Sequence, residues 1–263
     1  LGKRHSILEE RPEAARLLHL RSPLLSDAAW AKLMRSGGDD LTFATLDAIF
    51  SAEGGPAGLR EALDDLCRAA SAAVDEGHSA LVITDRGADE HQAPIPMLLA
   101  VATVHHHLIR TGRRMRTSLL AEAGDASDVH QLAALIGFGA SAVHPHVALA
   151  TIRDLASSGG LGEGADDGDR AVRLYIKACE AGLLKIMSKM GIAAVSSYHG
   201  AQIFDALGLG DEVIDRCFPG TTSRIGGIGL TELAQDVLER HQRAFSGGDL
   251  EAEVLEPLDK VLV

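Results

Sequence analysis

The chain reads as an α/β protein of parallel βα repeats, folded as an incomplete or irregular TIM-barrel-like domain. The first observation behind this is the apolar run ALVIT at 80–84, which ends abruptly at Asp85-Arg86-Gly87. An uninterrupted run of that length suits a strand covered on both faces, as in a parallel sheet. The second is that strand-like and helical segments alternate along the chain, which spells right-handed βαβ units. The third is a count. About five strand-like segments stand against the eight of a closed barrel, so an incomplete barrel is favoured over a doubly wound open sheet, which stays open as the alternative.

Residues 1–25 are mixed and charged, and Pro12 and Pro23 discourage one long helix there. They are expected to be an N-terminal arm or linker. Ser26-Asp27 can cap a helix over DAAWAKLMR (27–35), and Gly37-Gly38 ends it. LTFAT at 41–45 is a weak strand. Pro56 starts a long helix whose Leu59, Leu63, Leu66, Ala70 and Val74 share one face, and Gly77 stops it. After the strand at 80–84, Pro96 and Gly112 bound another helix. TSLLAE (117–122) is the next strand, SDVHQLAALIGFG (127–139) the next helix, SAVHP (141–145) a strand and HVALATIRDLA a helix. SSGGLGEGADDGD (157–169) has the composition of a mobile loop. A long helix follows over 171–190, with Met187 and Met190 spaced as core residues. IAAVSSY (192–198) reads as a further strand, and GAQIFDALGLG and DEVIDRCFPG as short helices. The last clear helix spans 231–245. Residues 26–245 are thus expected to form one α/β domain, followed by an acidic tail at 246–263.

Composition narrows the function. The net charge of −12 argues against nucleic-acid binding, which needs a basic face, and 3% aromatics weakens any base-stacking scheme. No run of 18 apolar residues supports a membrane span, and no basic start with an apolar h-region suggests a secretory signal. Cys67, Cys179 and Cys217 are far apart in sequence and odd in number, which fits reduced, buried thiols in a cytoplasmic protein.

Working residues in parallel α/β folds sit at strand C-termini and the loops after them. Those positions here carry Asp85 and Arg86, Glu122, His144, and Ser196 to Tyr198. Asp85-Arg86 could contact a substrate or a neighbouring domain, or simply pair locally. His144 and His146 are two apart, so in an extended segment both imidazoles could reach one metal. That would suit a metal-dependent hydrolase, but no third and fourth ligand is evident, His241 falling within a surface helix. His105, His106 and His107 lie on a helix, where consecutive residues diverge by about 100°. They read as a solvated or partly buried edge. SRIGGIGL (223–230) is Gly-rich and runs toward a helix, so it could cradle a phosphate, though a tight turn suits it better.

Several segments carry a family resemblance. LLKIMSKMGIAAVSSYHGAQIFDALGLG (183–210) resembles the central domain of the large subunit of glutamate synthase. So do LLHLRSPLLSD (17–27), ALVITDRGADEHQAPIPMLLAVATVHHHLIR (80–110), TSLLAEAGDASDVHQLAALIGFGASAVHPHVAL (117–149) and FPGTTSRIGGIGL (218–230). The resemblance implies a barrel-related α/β domain that links a glutaminase domain to an FMN-binding synthase domain. It also implies a share in the ammonia tunnel by which glutamine and 2-oxoglutarate become glutamate. It implies a connecting role with no catalysis of its own, and no cofactor in this chain. FMN and a 3Fe–4S cluster would be held by the parent enzyme, with the glutaminase and FMN-binding domains as partners and a small subunit or ferredoxin reached through the parent. Asp85, Arg86, Gly87, Ser197, Tyr198 and Gly200 become the interdomain or tunnel candidates. The chain departs from the family in starting at Leu1 rather than at a cysteine nucleophile, in lacking the cysteine cluster, and in carrying His146 where an aromatic residue is expected. An isolated central domain or a fragment of a longer polypeptide is therefore expected. A free-standing scaffold or regulatory paralogue is the alternative, and a hydrolase using His144 and His146 a more distant one.

Overall fold

A computed structural model describes residues 1–4, 8, 12–38, 41–162 and 167–246. The acidic tail beyond Ser246 and part of the Gly/Asp-rich loop lie outside the described residues.

The frame is one parallel sheet made from β1 (Phe43–Asp47), β3 (Ala80–Thr84), β5 (Ser118–Glu122) and β6 (Ala142–His144), in the order β1-β3-β5-β6. Leu24 pairs in parallel with Val143 on the far side of β6. There the Val143 amide donates to the Pro23 carbonyl at 2.7 Å and the Leu25 amide to the Val143 carbonyl at 2.9 Å. Among the described residues nothing joins β1 to Leu24, so the sheet does not close. The result is an α/β domain with an open, incomplete barrel wall.

A parallel sheet must be covered on both faces, and two sets of helices do this. Leu81, Ile83, Leu119, Ala121 and Val143 face α2 (Gly55–Asp75), α3 (Met97–Arg110) and α4 (Val129–Gly137) in the main core. Ala80, Val82, Leu120 and Ala142 point the other way, onto Leu25 and onto Trp30 and Leu33 of α1 (Asp27–Arg35). Leu24 and Leu25, within the stretch read as an arm, are therefore core residues. Ser26 caps α1 by accepting from the Ala29 amide. Asp128 and Gln131 form a reciprocal capping box that starts α4. Around this frame lie α5 (His146–Ser157), α6 (Gly168–Lys189), α7 (Val195–Tyr198), α8 (Asp211–Cys217) and α9 (Leu230–Phe245). A small antiparallel pair, β2 (Ile49–Ser51) with β4 (Gln92–Pro94), was not legible as strands in the sequence.

Four expectations need correcting. Residues 192–198 do not form a fifth sheet strand, because the edge beyond β6 is taken by Pro23 to Leu25. With no strand to pair with, the segment ends in the single turn α7, and Tyr198 is fully buried beside Phe204. The segment 200–210 and the Gly-rich segment after it are strands, β7 (Asp205–Leu209) and β8 (Thr222–Ile228), paired in parallel. Their glycines serve close approach, since a Cβ on Gly227 would stand 2.2 Å from the Gly208 carbonyl oxygen. That accounts for SRIGGIGL without a phosphate. Met190 is 51% exposed, so only Met187 of that pair is in the core.

Gly139, between α4 and β6, combines two constraints. Its φ is +116°, and a Cβ there would lie 2.2 Å from His105 Nδ1. Gly139→Ala should therefore lower stability by about 3 kcal/mol, from left-handed strain plus overpacking. Urea unfolding followed by circular dichroism checks this, and a loss below about 1 kcal/mol would show that His105 moves aside freely.

Candidate functional site

The parallel register aligns four polar residues across the C-terminal ends of the strands. Asp47 pairs with Thr84, Thr84 with Glu122, and Glu122 with His144. All four belong to the face covered by α1, because side chains alternate along each strand and Val82, Leu120 and Ala142 are two residues earlier. One end of the buried sheet face is thus polar, and its groups must find partners.

Glu122 is the centre of that arrangement. It is buried, and its Oε2 accepts from the Thr84 hydroxyl at 2.8 Å. Its Oε1 accepts from Arg86 Nε at 2.6 Å and lies 3.3 Å from His144 Nδ1. Burial pushes the carboxyl up, but the bonds from His144, Arg86 and Thr84 outweigh it and hold the group down to about 2. His144 Nε2 lies 2.9 Å from Asp27 Oδ1 at the start of α1, and its ring stacks on Trp30 with centroids 4.9 Å apart. Arg153 of α5 closes the chain on Asp27 Oδ2. Burial raises the Asp27 carboxyl, while Arg153 and His144 together bring it below the usual carboxylate range. The series Arg86–Glu122–His144–Asp27–Arg153 therefore ties β3, β5, β6, α1 and α5 at one end of the sheet.

Asp85, the residue that follows β3, turns to the other side. Its Oδ2 accepts from the Gly124 amide at 2.6 Å and its Oδ1 lies 2.8 Å from His146 Nε2. These groups wall a cleft of about 510 Å³, bounded on the far side by Arg240, His241 and Phe245 of α9. Asp125 also lines it and accepts from the Met97 amide at the start of α3. Burial first, and the Asp85 charge second, raise the Asp125 carboxyl. His241 is buried rather than on a surface face, and its Nε2 donates to the Asp89 carbonyl at 2.6 Å, fixing α9 to the loop after β3. Gly87 lets that loop pack closely, since a Cβ would meet Ile49 Cδ1 at 3.1 Å.

The structure brings Asp85, Arg86 and Gly87 together at this end. Ser197, Tyr198 and Gly200 lie at the other. Gly200 and its neighbour Ser196 share a cavity with Thr117 and Ser118, at the start of β5, and with Ser141, just before β6. Ser197 and Gly200 are exposed there, while Tyr198 is enclosed. His144 and His146 do not act as a pair. Pro145 turns the chain, His146 begins α5, and the two rings address different carboxylates with centroids 6.3 Å apart. Among the described residues no group of three His, Cys, Asp or Glu is placed to hold a metal ion. Among those residues neither imidazole bonds to a hydroxyl or thiol nucleophile. The histidines of α3 form the partly buried edge rather than the solvated one. His105 is buried and accepts from Arg114, and His107 Nε2 lies 2.7 Å from the Ser71 hydroxyl. Sequence reasoning missed Asp27, Trp30 and Arg153, because they are distant in the chain from the strand ends they serve.

Glu122 makes a pH prediction. Its folded pKa lies below the unfolded value of about 4.3, so its contribution is present above that value and fades as pH falls toward about 2. Glu122→Gln should cost about 1–3 kcal/mol at neutral pH, because Arg86 and His144 lose a charged acceptor. The variant's stability should then change less than the parent chain's between these two pH values. Denaturant melts across that range decide it, and parallel pH curves for the two chains would refute the pairing.

Residues 1–210 match the family described as glutamate synthase central domain. A ferredoxin-dependent glutamate synthase of Pyropia yezoensis is 40% identical over 257 residues, covering 94% of this chain and 16% of that protein. The NADPH glutamate synthase large chain of Bacillus subtilis is 39% identical over 257 residues, covering 98% of this chain and 16% of that protein. A flavocytochrome b2 mutant with benzoylformate overlaps 66% of this chain and 38% of its own, at 11% identity and a TM-score of 0.45. The chain thus spans 16% of the length of the two glutamate synthases, as a segment of each. With most of its length matched to that family, the chain belongs to the glutamate synthase central domain family.

Proposed function

We propose that this chain is the connecting domain of a glutamate synthase, set between the glutaminase and FMN-binding domains and forming part of the ammonia tunnel wall. It does no chemistry alone. Glutamine and 2-oxoglutarate are handled by the neighbouring domains, which hold the FMN and the 3Fe–4S cluster, and a small subunit or ferredoxin acts through them. The proposed setting is cytoplasmic. Among the described residues no helix is long and apolar enough to cross a membrane.

The observation that carries this reading is the state of Arg86. Its Nε is held by buried Glu122, yet the side chain is 51% exposed. The guanidinium is held from behind through Nε, and among the described residues its Nη groups form no hydrogen bond, which leaves donors suited to a carboxylate or carbonyl on an adjoining domain. The cleft beside it mixes Asp85 and Arg240 with apolar Ile95, Val147 and Val237, a wall that a small neutral molecule can pass. Ser197 and Gly200 lie exposed at the opposite end of the sheet, with Tyr198 as their buried support. They are the proposed contacts to a second neighbour, and two ends suit a domain placed between two others.

Arg86→Ala in the full-length parent enzyme should leave the domain folded, because Thr84 and His144 still serve Glu122. Glutamine-dependent glutamate formation should fall about fivefold, corresponding to roughly 1 kcal/mol for a half-exposed charged hydrogen bond, while glutaminase activity falls less. Arg86→Lys should not restore coupling, since Lys lacks the fork. An unchanged ratio of the two activities at unchanged stability would reduce Arg86 to a turn residue.

The three cysteines are free and buried, and burial pushes the Cys67 thiol up to about 11, far from a thiolate ligand. The Gly-rich segment is strand β8 rather than a phosphate loop. The purified chain is therefore expected to be colourless. Stoichiometric flavin or iron–sulfur absorbance in its visible spectrum would overturn the assignment of cofactors to the rest of the parent.

A further inference from the structure

The end of the sheet opposite the Asp85 cleft holds a separate cavity of about 420 Å³. Arg4, Arg114, His105, His199, Ser141 and Ser196 line it, and among the described residues no aspartate or glutamate does. In a chain with 37 acidic and 25 basic residues, a cavity whose described lining holds two arginines and no carboxylate leaves positive charge unbalanced.

Arg114 sits in the short turn Arg114–Arg116 between α3 and β5. Its Nε donates to His105 Nδ1 at 2.9 Å, Nη1 to the Thr117 carbonyl at 2.7 Å and Nη2 to the Gly139 carbonyl at 2.9 Å. All three acceptors are neutral. The guanidinium is held in place but its charge meets no counter-ion among the described residues. Burial and the Arg4 charge together push it down to about 10. Enclosing a charge without an opposite partner is unfavourable, and an anion in the cavity would relieve that. A second observation points the same way. Among the described residues His199 Nε2 is buried without a hydrogen-bond partner, although buried polar atoms are normally satisfied. The ring's other nitrogen bonds the Ala140 backbone, so in the neutral ring Nε2 is an acceptor that a protonated ligand oxygen such as a phosphate P–OH would satisfy. Burial and the Arg114 and Arg4 charges hold His199 down to about 4, and burial with Arg114 holds His105 down to about 3. Near neutral pH both rings are therefore uncharged, and the positive field comes from the arginines.

We propose that this cavity is a binding site for a small phosphate-bearing molecule, its anion held between Arg4 and Arg114 with Ser141 and Ser196 as further donors and His199 Nε2 as an acceptor for a protonated ligand oxygen. The donors come from four places in the fold: the N-terminal segment, the turn before β5, the start of β6, and the region of α7. Donors from several directions suit a tetrahedral oxyanion better than a planar carboxylate. The volume exceeds that of phosphate alone, and Ile109 and Met115, each more than half exposed, form an apolar rim for an organic remainder. This inference does not rest on the coupling role of the other end.

The test uses amide NMR and thermal melting of the 263-residue chain at constant ionic strength. Inorganic phosphate, glycerol 3-phosphate and succinate are the probes, with chloride as the control. Both phosphates should give saturable shifts at Ser141 and Ser196 to Gly200 and raise the melting midpoint, glycerol 3-phosphate at lower concentration. Arg4→Gln, at an exposed position, should keep the melting midpoint in chloride and weaken phosphate binding about tenfold, as loss of one charged contact does. The Ser141→Ala, Ser196→Ala double variant gives an independent check and should weaken binding as well. The proposal fails if no saturable shift occurs at millimolar phosphate, or if the shifts fall outside the cavity. It fails equally if succinate binds as tightly as the phosphates, or if both variants bind like the parent chain.

Discussion

The arrangement depends on a carboxylate buried at the C-terminal end of a central sheet strand. Glu122 ends β5, between β3 and β6, where water cannot solvate it. An unpaired charge there would be untenable, so each adjoining element supplies a partner: Thr84 and Arg86 from β3 and its exit, His144 from β6. His144 then needs a partner for its second nitrogen, which Asp27 provides, and Asp27 needs Arg153. Satisfying one buried group propagates outward until charges reach solvent. The same chain of requirements sets the position of α1 against the sheet and orients Arg86 toward the outside.

A second constraint concerns coverage. Parallel strands must be shielded on both faces, and a closed barrel would do this by filling its own interior. Here the sheet stays open, and Trp30, Leu33 and Leu25 occupy the space that opposing barrel strands would fill. Leu24 takes the edge next to β6. The N-terminal stretch therefore acts as both edge and lid, which explains why a further strand does not form at 192–198. The freed segment instead folds back so that Gly200 bonds to the Gly137 carbonyl at 2.8 Å. This builds the cavity at the opposite end.

The two ends differ in their electrostatics. At the strand C-termini, acidic and basic groups are matched within the chain. At the N-terminal end Arg114 bonds only neutral acceptors among the described residues. A matched end can support and orient, whereas an unmatched one has affinity to spare for something from outside.

The four main strands and the helices other than α7 were legible in the sequence, because each depends on local periodicity and stop signals, whereas 192–198 and 200–210 were read with the wrong type. ALVIT matched β3 residue for residue, and DAAWAKLMR matched α1 with Ser26 as its cap. Asp85, Arg86, Glu122 and His144 were legible as strand-end residues for the same reason. Pairing was not legible, since hydrogen-bond partners across a sheet can be anywhere in the chain. IAAVSSY has the composition of a strand and lost its place to Pro23–Leu25, more than 160 residues earlier. The histidine pair had metal-ligand spacing only while the backbone stayed extended, and the turn at Pro145 ended that. Local chemistry thus determined which segments fold as what. The tertiary structure decided which charges meet, because burial makes each polar group seek a partner regardless of its distance along the chain.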